Sequence, residues 1–384
     1  RLLLLTGSGN DTIIQQVQST SDEFRLGGGD DSLSINGYSG RDTVSGGSGT
    51  DTLTIDWSAN SSESGVFSIQ KSDLSWVSFD TYGNQNAFSI DEVLDAFSGS
   101  PLQFKYAEVY HSSSGSTENF SVAWTDVEKV NIKSSGDYNF IVYQGGTEYV
   151  GGPSSYSDTF FGDFSSWSEG VSWTNGATSG SLSDNTVSTL GATHQVNVSG
   201  MERLLLLTGS GNDTIIQQVQ YTNDEFRTGD GNDTVNAGSG NDTLEGGSGA
   251  DSLTGGSGSD VFVLTYSNQD RIIDFSVAEE DRIDLSNVLA SLVGYTTGNP
   301  FDASQGFVTL DEYVGGTRIL VDKDGAAGSA YAPVSVAYLV DVNPDTLSST
   351  FNTQGFTPSI KNHQPTASNQ SITIGEDSSK VFAL

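Results

Sequence analysis

Four aspartates, Asp233, Asp242, Asp251 and Asp260, recur every nine residues within NDTVNAGSGNDTLEGGSGADSLTGGSGSDVFVL. Two residues after each stands an apolar side chain, Val235, Leu244, Leu253 or Phe262. Ahead of each stand two glycines with one residue between them: Gly229 and Gly231, Gly238 and Gly240, Gly247 and Gly249, Gly256 and Gly258. Glycine permits a left-handed turn and lets backbone carbonyls approach an ion, the aspartate supplies a hard oxygen, and the apolar residue points inward from a short strand. A single nonapeptide cannot bury that residue alone, so the units must stack. Two successive nonapeptides make one coil, which puts aspartates 18 residues apart on the same side. The spacing predicts one ion between Asp233 and Asp251 and another between Asp242 and Asp260.

The same module recurs elsewhere. Residues 1 to 18, RLLLLTGSGNDTIIQQVQ, are identical to residues 203 to 220. Around the first copy the aspartates are Asp11, Asp22, Asp31, Asp42 and Asp51, in alternating steps of 11 and 9 residues. Gly7 and Gly9 precede Asp11, and Asp213 holds the equivalent place in the second copy. Asp22 and Asp224 sit in DEF turns stripped of glycine, which makes them poor candidates for ligands. A third copy aligns VEKVNIKSSGDYNFI with MERLLLLTGSGNDTI, and there Asn139 replaces the Asp213 position while Ser135 and Asp137 replace Gly209 and Gly211. That coil is expected to fold without calcium. The stretch from Asp51 to Glu128 exceeds that from Asp158 to Glu202 by 33 residues, which fall between about Leu74 and Thr117. Within this insertion Asp91 to Phe97 is the only short piece that reads as helix.

Composition agrees with an ion-dependent chain. Its 49 carboxylates against 15 Lys and Arg give a formal charge of -34, and only 34% of the 384 residues are hydrophobic. Such a chain repels itself until hard cations neutralise it and stays disordered without them. Nucleic acid and anionic membranes are poor partners, since phosphate binding needs clustered Lys and Arg. The absence of cysteine excludes disulfides and thiolate metal sites. The longest aliphatic runs, Leu2 to Leu5 and Leu204 to Leu207, are far too short to span a bilayer. Arg1 begins within a repeat, so the chain is expected to be a segment of a longer protein.

GGSGADSL and GGSGSDVF resemble the RTX family, the hemolysin-type calcium-binding repeats. The DRIIDF and DRIDL segments with the later VDKDG resemble the carboxy-terminal domain that follows such repeats in serralysin-type peptidases and other type I secretion substrates. The tail, NHQPTASNQSITIGEDSSKVFAL, resembles the opening of a cadherin-like repeat of very large bacterial surface proteins. These resemblances imply a chain kept unfolded in a calcium-poor cytoplasm, passed through type I secretion machinery, and folded outside at millimolar calcium as part of an extracellular adhesin.

The fold expected is all-β: a calcium-binding parallel β-roll with a β-rich insertion module and a capping antiparallel β domain. Its expected parts are a first roll over 1–55, an irregular β module over 56–200, a second roll over 201–264, a capping domain over 265–345, and a linker with the start of a further domain over 346–384. No catalytic residue is assigned, because His111, His194 and His363 are the only histidines and no HExxH, GxSxG or phosphate loop occurs. The five tryptophans, Trp57, Trp76, Trp124, Trp167 and Trp173, are expected to pack the glycine-poor core. The competing function is calcium-dependent binding of cell-surface or matrix glycans, centred on the insertion. Ice binding is disfavoured, since the outer position is mostly Ser and the array lasts only a few coils.

Overall fold

In a computed structural model, residues 1–347 and 360–361 are described, apart from 17–19, 38–39, 60–63, 83, 85–86, 99–102, 113–114, 135–137, 152–157, 176–186, 189–195, 218–220, 268 and 329. The tail that resembles a cadherin-like repeat lies outside the described residues, as do Ser135 and Asp137. Among the described residues no helix is long and apolar enough to cross a membrane.

The chain forms a parallel β-roll of two facing series of very short strands. In the second roll one series runs Arg203–Leu207, Glu225–Arg227, Thr243–Glu245, Val261–Val263 and Arg282–Asp284, all parallel neighbours. The facing series runs Thr214–Gln217, Thr234–Asn236, Ser252–Thr254 and Asp270–Ile272. Three-residue strands suffice because only the central side chain must be apolar: Phe226, Val235, Leu244, Leu253 and Phe262 all turn inward and are buried. Leu244 pairs with Phe262 and Val235 with Leu253, giving an 18-residue coil, whereas Leu205 pairs with Glu225 across 20. The first roll keeps the 20-residue pitch throughout, Thr12 pairing with Ser32 and Ser32 with Thr52.

The inserted residues enlarge one face of the first roll. Strand Arg41–Ser48 pairs in parallel with Gly115–Thr125, beyond which Gln103–Ser112, Ser64–Gln70 and Trp76–Phe79 follow antiparallel. Helix Ile90–Phe97 begins where the sequence suggested, held by a reciprocal cap between Ser89 and Glu92, and buries Ile90, Val93 and Ala96. Trp57, Trp124 and Trp173 are buried in the core, while Trp76 is partly exposed beneath Lys105. On the opposite face Thr52–Asp56, Lys129–Lys133, Gly145–Val150 and Val196–Ser199 continue the parallel sheet. Phe140–Val142 and Thr159–Asp163 then lead into Arg203–Leu207.

The carboxyl end differs from the expectation in two respects. DRIIDF and DRIDL add parallel strands to the roll, which therefore runs to residue 284 rather than ending at 264. The reason is that Asp270-Arg-Ile272 and Asp281-Arg-Ile283 repeat the aspartate-x-apolar unit, with Ile272 and Ile283 stacked on Leu253 and Phe262. Antiparallel pairing begins with Val308–Tyr313, Gly316–Val321 and Val334–Val340, the last of which lies parallel on Asp270–Ile272 and covers that edge. A second short helix, Ser286–Ser291, also forms here, within the span expected to be an antiparallel β domain.

Candidate metal centre

Each aspartate of the repeat stands immediately before its strand or at the strand's first residues, where the turn delivers it to the interior. Its backbone N–H donates to Oδ1 of the aspartate one coil further on. Along one side of the second roll the series is Asp213 to Asp233 at 2.7 Å, Asp233 to Asp251 at 2.8 Å and Asp251 to Asp270 at 3.2 Å. Along the other it is Asp224 to Asp242 at 2.7 Å, Asp242 to Asp260 at 2.8 Å and Asp260 to Asp281 at 2.9 Å. The first roll repeats the pattern with Asp11 to Asp31, Asp31 to Asp51 and Asp51 to Glu128, and with Asp22 to Asp42.

One oxygen of each carboxylate is thereby satisfied. The second oxygen, Oδ2, of Asp31, Asp51, Asp224, Asp242 and Asp260 is buried with no hydrogen-bond donor on it. Buried carboxylate oxygens are costly unless something positive or hydrogen-bonding meets them. The glycines shape the surrounding space. A Cβ on Gly246 would strike Asp251 Oδ2, and one on Gly255 would strike Asp260 Oδ2. Gly247 and Gly256 adopt φ of 87° and 102°, Gly249 and Gly258 φ of 141° and 134°, and a Cβ on any of the four would collide with the carbonyl of Gly229, Gly238, Gly231 or Gly240 one coil earlier. The turns before Asp251 and Asp260 thus bring a carboxylate oxygen and backbone carbonyls of the preceding coil against neighbouring glycines, the oxygen chemistry suited to a hard cation that takes six to eight oxygens. Among the described residues no three Asp, Glu, His or Cys side chains converge on one point. An ion here would be completed by backbone carbonyls and water.

Burial also governs protonation. Loss of hydration pushes Asp233 and Asp242 up to about 7, Asp260 to about 6 and Asp270 to about 8, against an ordinary 3.8. The same cause raises Asp51, Asp213 and Asp251, and holds Asp224 well above the usual range.

The sequence candidates Asp31, Asp42, Asp51, Asp213, Asp233, Asp242, Asp251 and Asp260 all lie buried on these ladders, and Asp11 stands half-buried at the amino-terminal end. Gly229, Gly231, Gly238, Gly240, Gly247, Gly249, Gly256 and Gly258 all have positive φ, whereas nothing approaches the Cβ positions of Gly7 and Gly9. Asp22 and Asp224 occupy the same rungs as the rest despite their glycine-free turns, with Leu2 and Leu204 N–H donating to them. Sequence reasoning passed over Asp158, Asp270, Asp281, Glu128 and Glu202. Each precedes an apolar residue by two positions, the signal that would have found them.

Asn139 is built differently. Its Oδ1 accepts from Gly65 N–H at 3.0 Å, Ser134 Oγ at 2.8 Å and Tyr106 Oη at 3.2 Å, and its Nδ2 donates to the Gly151 carbonyl at 2.7 Å. A neutral amide thus supplies internally the positive partner that an aspartate would need.

A family model for the RTX calcium-binding nonapeptide repeat matches four copies, over residues 19–53 and 227–262. No curated protein matches the chain. Two solved structures match the chain. A subunit of the mannuronan C5-epimerase of Azotobacter vinelandii is 23% identical over 46% of this chain and 93% of its own, with a TM-score of 0.25. An extracellular lipase of Serratia marcescens is 13% identical over 93% of this chain, with a TM-score of 0.25, and the match spans 38% of the lipase. The chain carries RTX nonapeptide repeats, and these bind calcium.

Proposed function

We propose that this chain is a calcium-dependent structural and folding segment of an exported surface protein. The observation that carries the reading is the set of buried, donorless Oδ2 atoms at Asp31, Asp51, Asp242 and Asp260, with a glycine of the turn closing on Asp51 Oδ2 at Gly46 and on Asp260 Oδ2 at Gly255. Bound calcium supplies the positive charge that lets these oxygens stay buried. The residues that hold it are Asp11, Asp31, Asp42, Asp51, Asp213, Asp233, Asp242, Asp251 and Asp260 with the carbonyls of their glycine turns. Without neutralisation a formal charge of -34 opposes compaction, so the chain remains unfolded where calcium is scarce and orders where it is abundant. That switch suits passage through type I secretion machinery and service in a large extracellular adhesin, a role also supported by the resemblance of the tail to surface-protein repeats. Far-ultraviolet circular dichroism in chelator and then in millimolar calcium tests it: β signal confined to the calcium sample is expected, and equal signal in both would overturn the proposal.

A second reading is favoured by one cavity. Where the insertion meets the second roll, Phe88, Ser89, Glu92, Arg203, Asn223 and Asn241 line a space of about 280 Å³, combining an aromatic ring with several polar groups. This is the chemistry of a small sugar site. Chelator-sensitive glycan binding that vanishes on deleting residues 74–117 would establish it.

A further inference from the structure

Arg203, 4% exposed, is the only arginine or lysine that is buried among the described residues. It opens the strand Arg203–Leu207, and its guanidinium is held from two sides: Nε donates to the carbonyl of Asn223 at 2.7 Å and Nη2 to the carbonyl of Phe88 at 2.6 Å. The first acceptor is the residue ahead of Asp224. The second belongs to the insertion, just before the helix Ile90–Phe97. Roll and helix are pinned together around this group, since Ile90 N–H donates to Glu225 Oε2 at 2.9 Å and Arg227 Nη1 to Asp91 Oδ1 at 2.7 Å.

A buried cation needs negative partners. Asp224, Glu225 and Glu92 line one cavity with Arg203, and Asp224 is foremost among the carboxylates that hold the guanidinium charged against the loss of its hydration. Consecutive residues thus serve one carboxylate: Leu204 N–H meets Asp224 Oδ1 at 2.7 Å, while Oδ2, buried without a hydrogen-bond donor, lies in the field of the Arg203 charge. The turn itself is unlike its neighbours. Gln220 and Thr222 stand where Asp242, Asp251 and Asp260 are preceded by paired glycines. The other glycine-free turn is also met from within the chain, for Asp22 Oδ2 accepts from Gln15 Nε2 at 3.2 Å and from Thr20 Oγ1 at 3.1 Å. A calcium ion drawn to Asp224 Oδ2 would enter a turn without glycine and face a fixed positive charge.

We propose that the guanidinium of Arg203 is the resident cation of the Asp224 turn, and that the rung from Asp224 to Asp242 takes no calcium while the rungs that follow do. On the calcium reading of the glycine turns, on which this depends, Asp242 still serves the ion shared with Asp260. The insertion then acts as a seal. Its Phe88 carbonyl and the start of its helix bury the guanidinium, and the coil beneath them is neutralised by the chain itself rather than by an ion from solution.

The test is a calcium titration of the full chain, followed by far-ultraviolet circular dichroism and by calorimetric counting of bound ions. A β signal that grows with calcium in the unsubstituted chain checks the calcium reading by itself, so failure of that reading and failure of the Arg203 assignment are told apart. Asp224→Asn should leave the number of bound ions unchanged, whereas Asp260→Asn should lower it. Arg203→Met should raise the calcium concentration at the folding midpoint about tenfold, because a buried carboxylate is left without its cation. Adding Asp224→Asn to Arg203→Met should recover most of that shift, or folding itself where the single variant fails to fold. Loss of an ion in Asp224→Asn would overturn the proposal. So would a double variant no better than Arg203→Met alone, because the arginine would then serve only to fill space.

Discussion

The backbone N–H of Asp242 donates to Oδ1 of Asp260 at 2.8 Å, so each of these residues both orders its neighbour and depends on the next. The opposite oxygen of each carboxylate is buried and free of donors. Replacing aspartate by asparagine retains the first function and removes the second.

Asp242→Asn combined with Asp251→Asn should therefore keep the ladder but bind fewer ions. The calcium-induced rise in stability should fall by on the order of 3 kcal/mol for each site lost at calcium far above its dissociation constant. Urea unfolding in chelator and in calcium, compared with the unsubstituted chain, measures this. An unchanged calcium response would remove these two aspartates from the ligand set.

Without calcium the chain should gain stability on acidification. Asp233, Asp242, Asp260 and Asp270 have folded values of about 7, 7, 6 and 8 against an ordinary 3.8, so the folded state binds more protons across that window. Stability then falls as pH rises from about 4 through 8 and recovers as pH is lowered. In chelator, the urea midpoint should be higher at pH 5.5 than at pH 8, and millimolar calcium should reverse or flatten that slope by displacing the protons.

Gly209→Ala and Gly7→Ala make the same change in the same local sequence. The first drives a methyl into the Trp167 carbonyl and should cost about 1–3 kcal/mol. The second meets nothing and should stay within about 0.5 kcal/mol of the unsubstituted chain. Thermal melts of the two variants in calcium give the comparison directly.

Asn139→Asp should destabilise the middle coil by about 3 kcal/mol in chelator, since a carboxylate oxygen would replace the amide donor that faces the Gly151 carbonyl. Added calcium should restore part of the loss if the new carboxylate recreates the site its homologue Asp213 occupies. Denaturation with and without calcium separates the two effects.

The roll was legible in the sequence because its rule is local: aspartate, one residue, then an apolar side chain, with glycines ahead. The nine-residue period placed Asp233, Asp242, Asp251 and Asp260 on alternating sides, and the structure pairs them at the 18-residue spacing read from that period. At Asp22 and Asp224, set aside as ligands for want of glycine, the backbone ladder nevertheless continues, its rungs set by the strand that follows rather than by the turn. The steps to Asp270 and Asp281 are 10 and 11 residues, which breaks the period although the ladder continues. The antiparallel strands of the insertion left less trace, because both faces of Ser64–Gln70 contribute buried residues and blur the alternation that marks a half-exposed strand.

Every rung of the ladder points the same way, from a coil to the one that follows it in sequence. The last rung is complete in itself, since Asp281 accepts Asp260 N–H on Oδ1 and Ser276 N–H on Oδ2. A polypeptide delivered carboxyl end first would thus present a finished template, and each coil arriving behind would find its acceptor already in place at the growing end. Delivered in the opposite order, every coil would wait for a carboxylate not yet made available. Were the chain exported in that first order, the direction written into these hydrogen bonds would make its ordering outside the membrane progressive, and progressive ordering at the exit would draw the remaining chain after it.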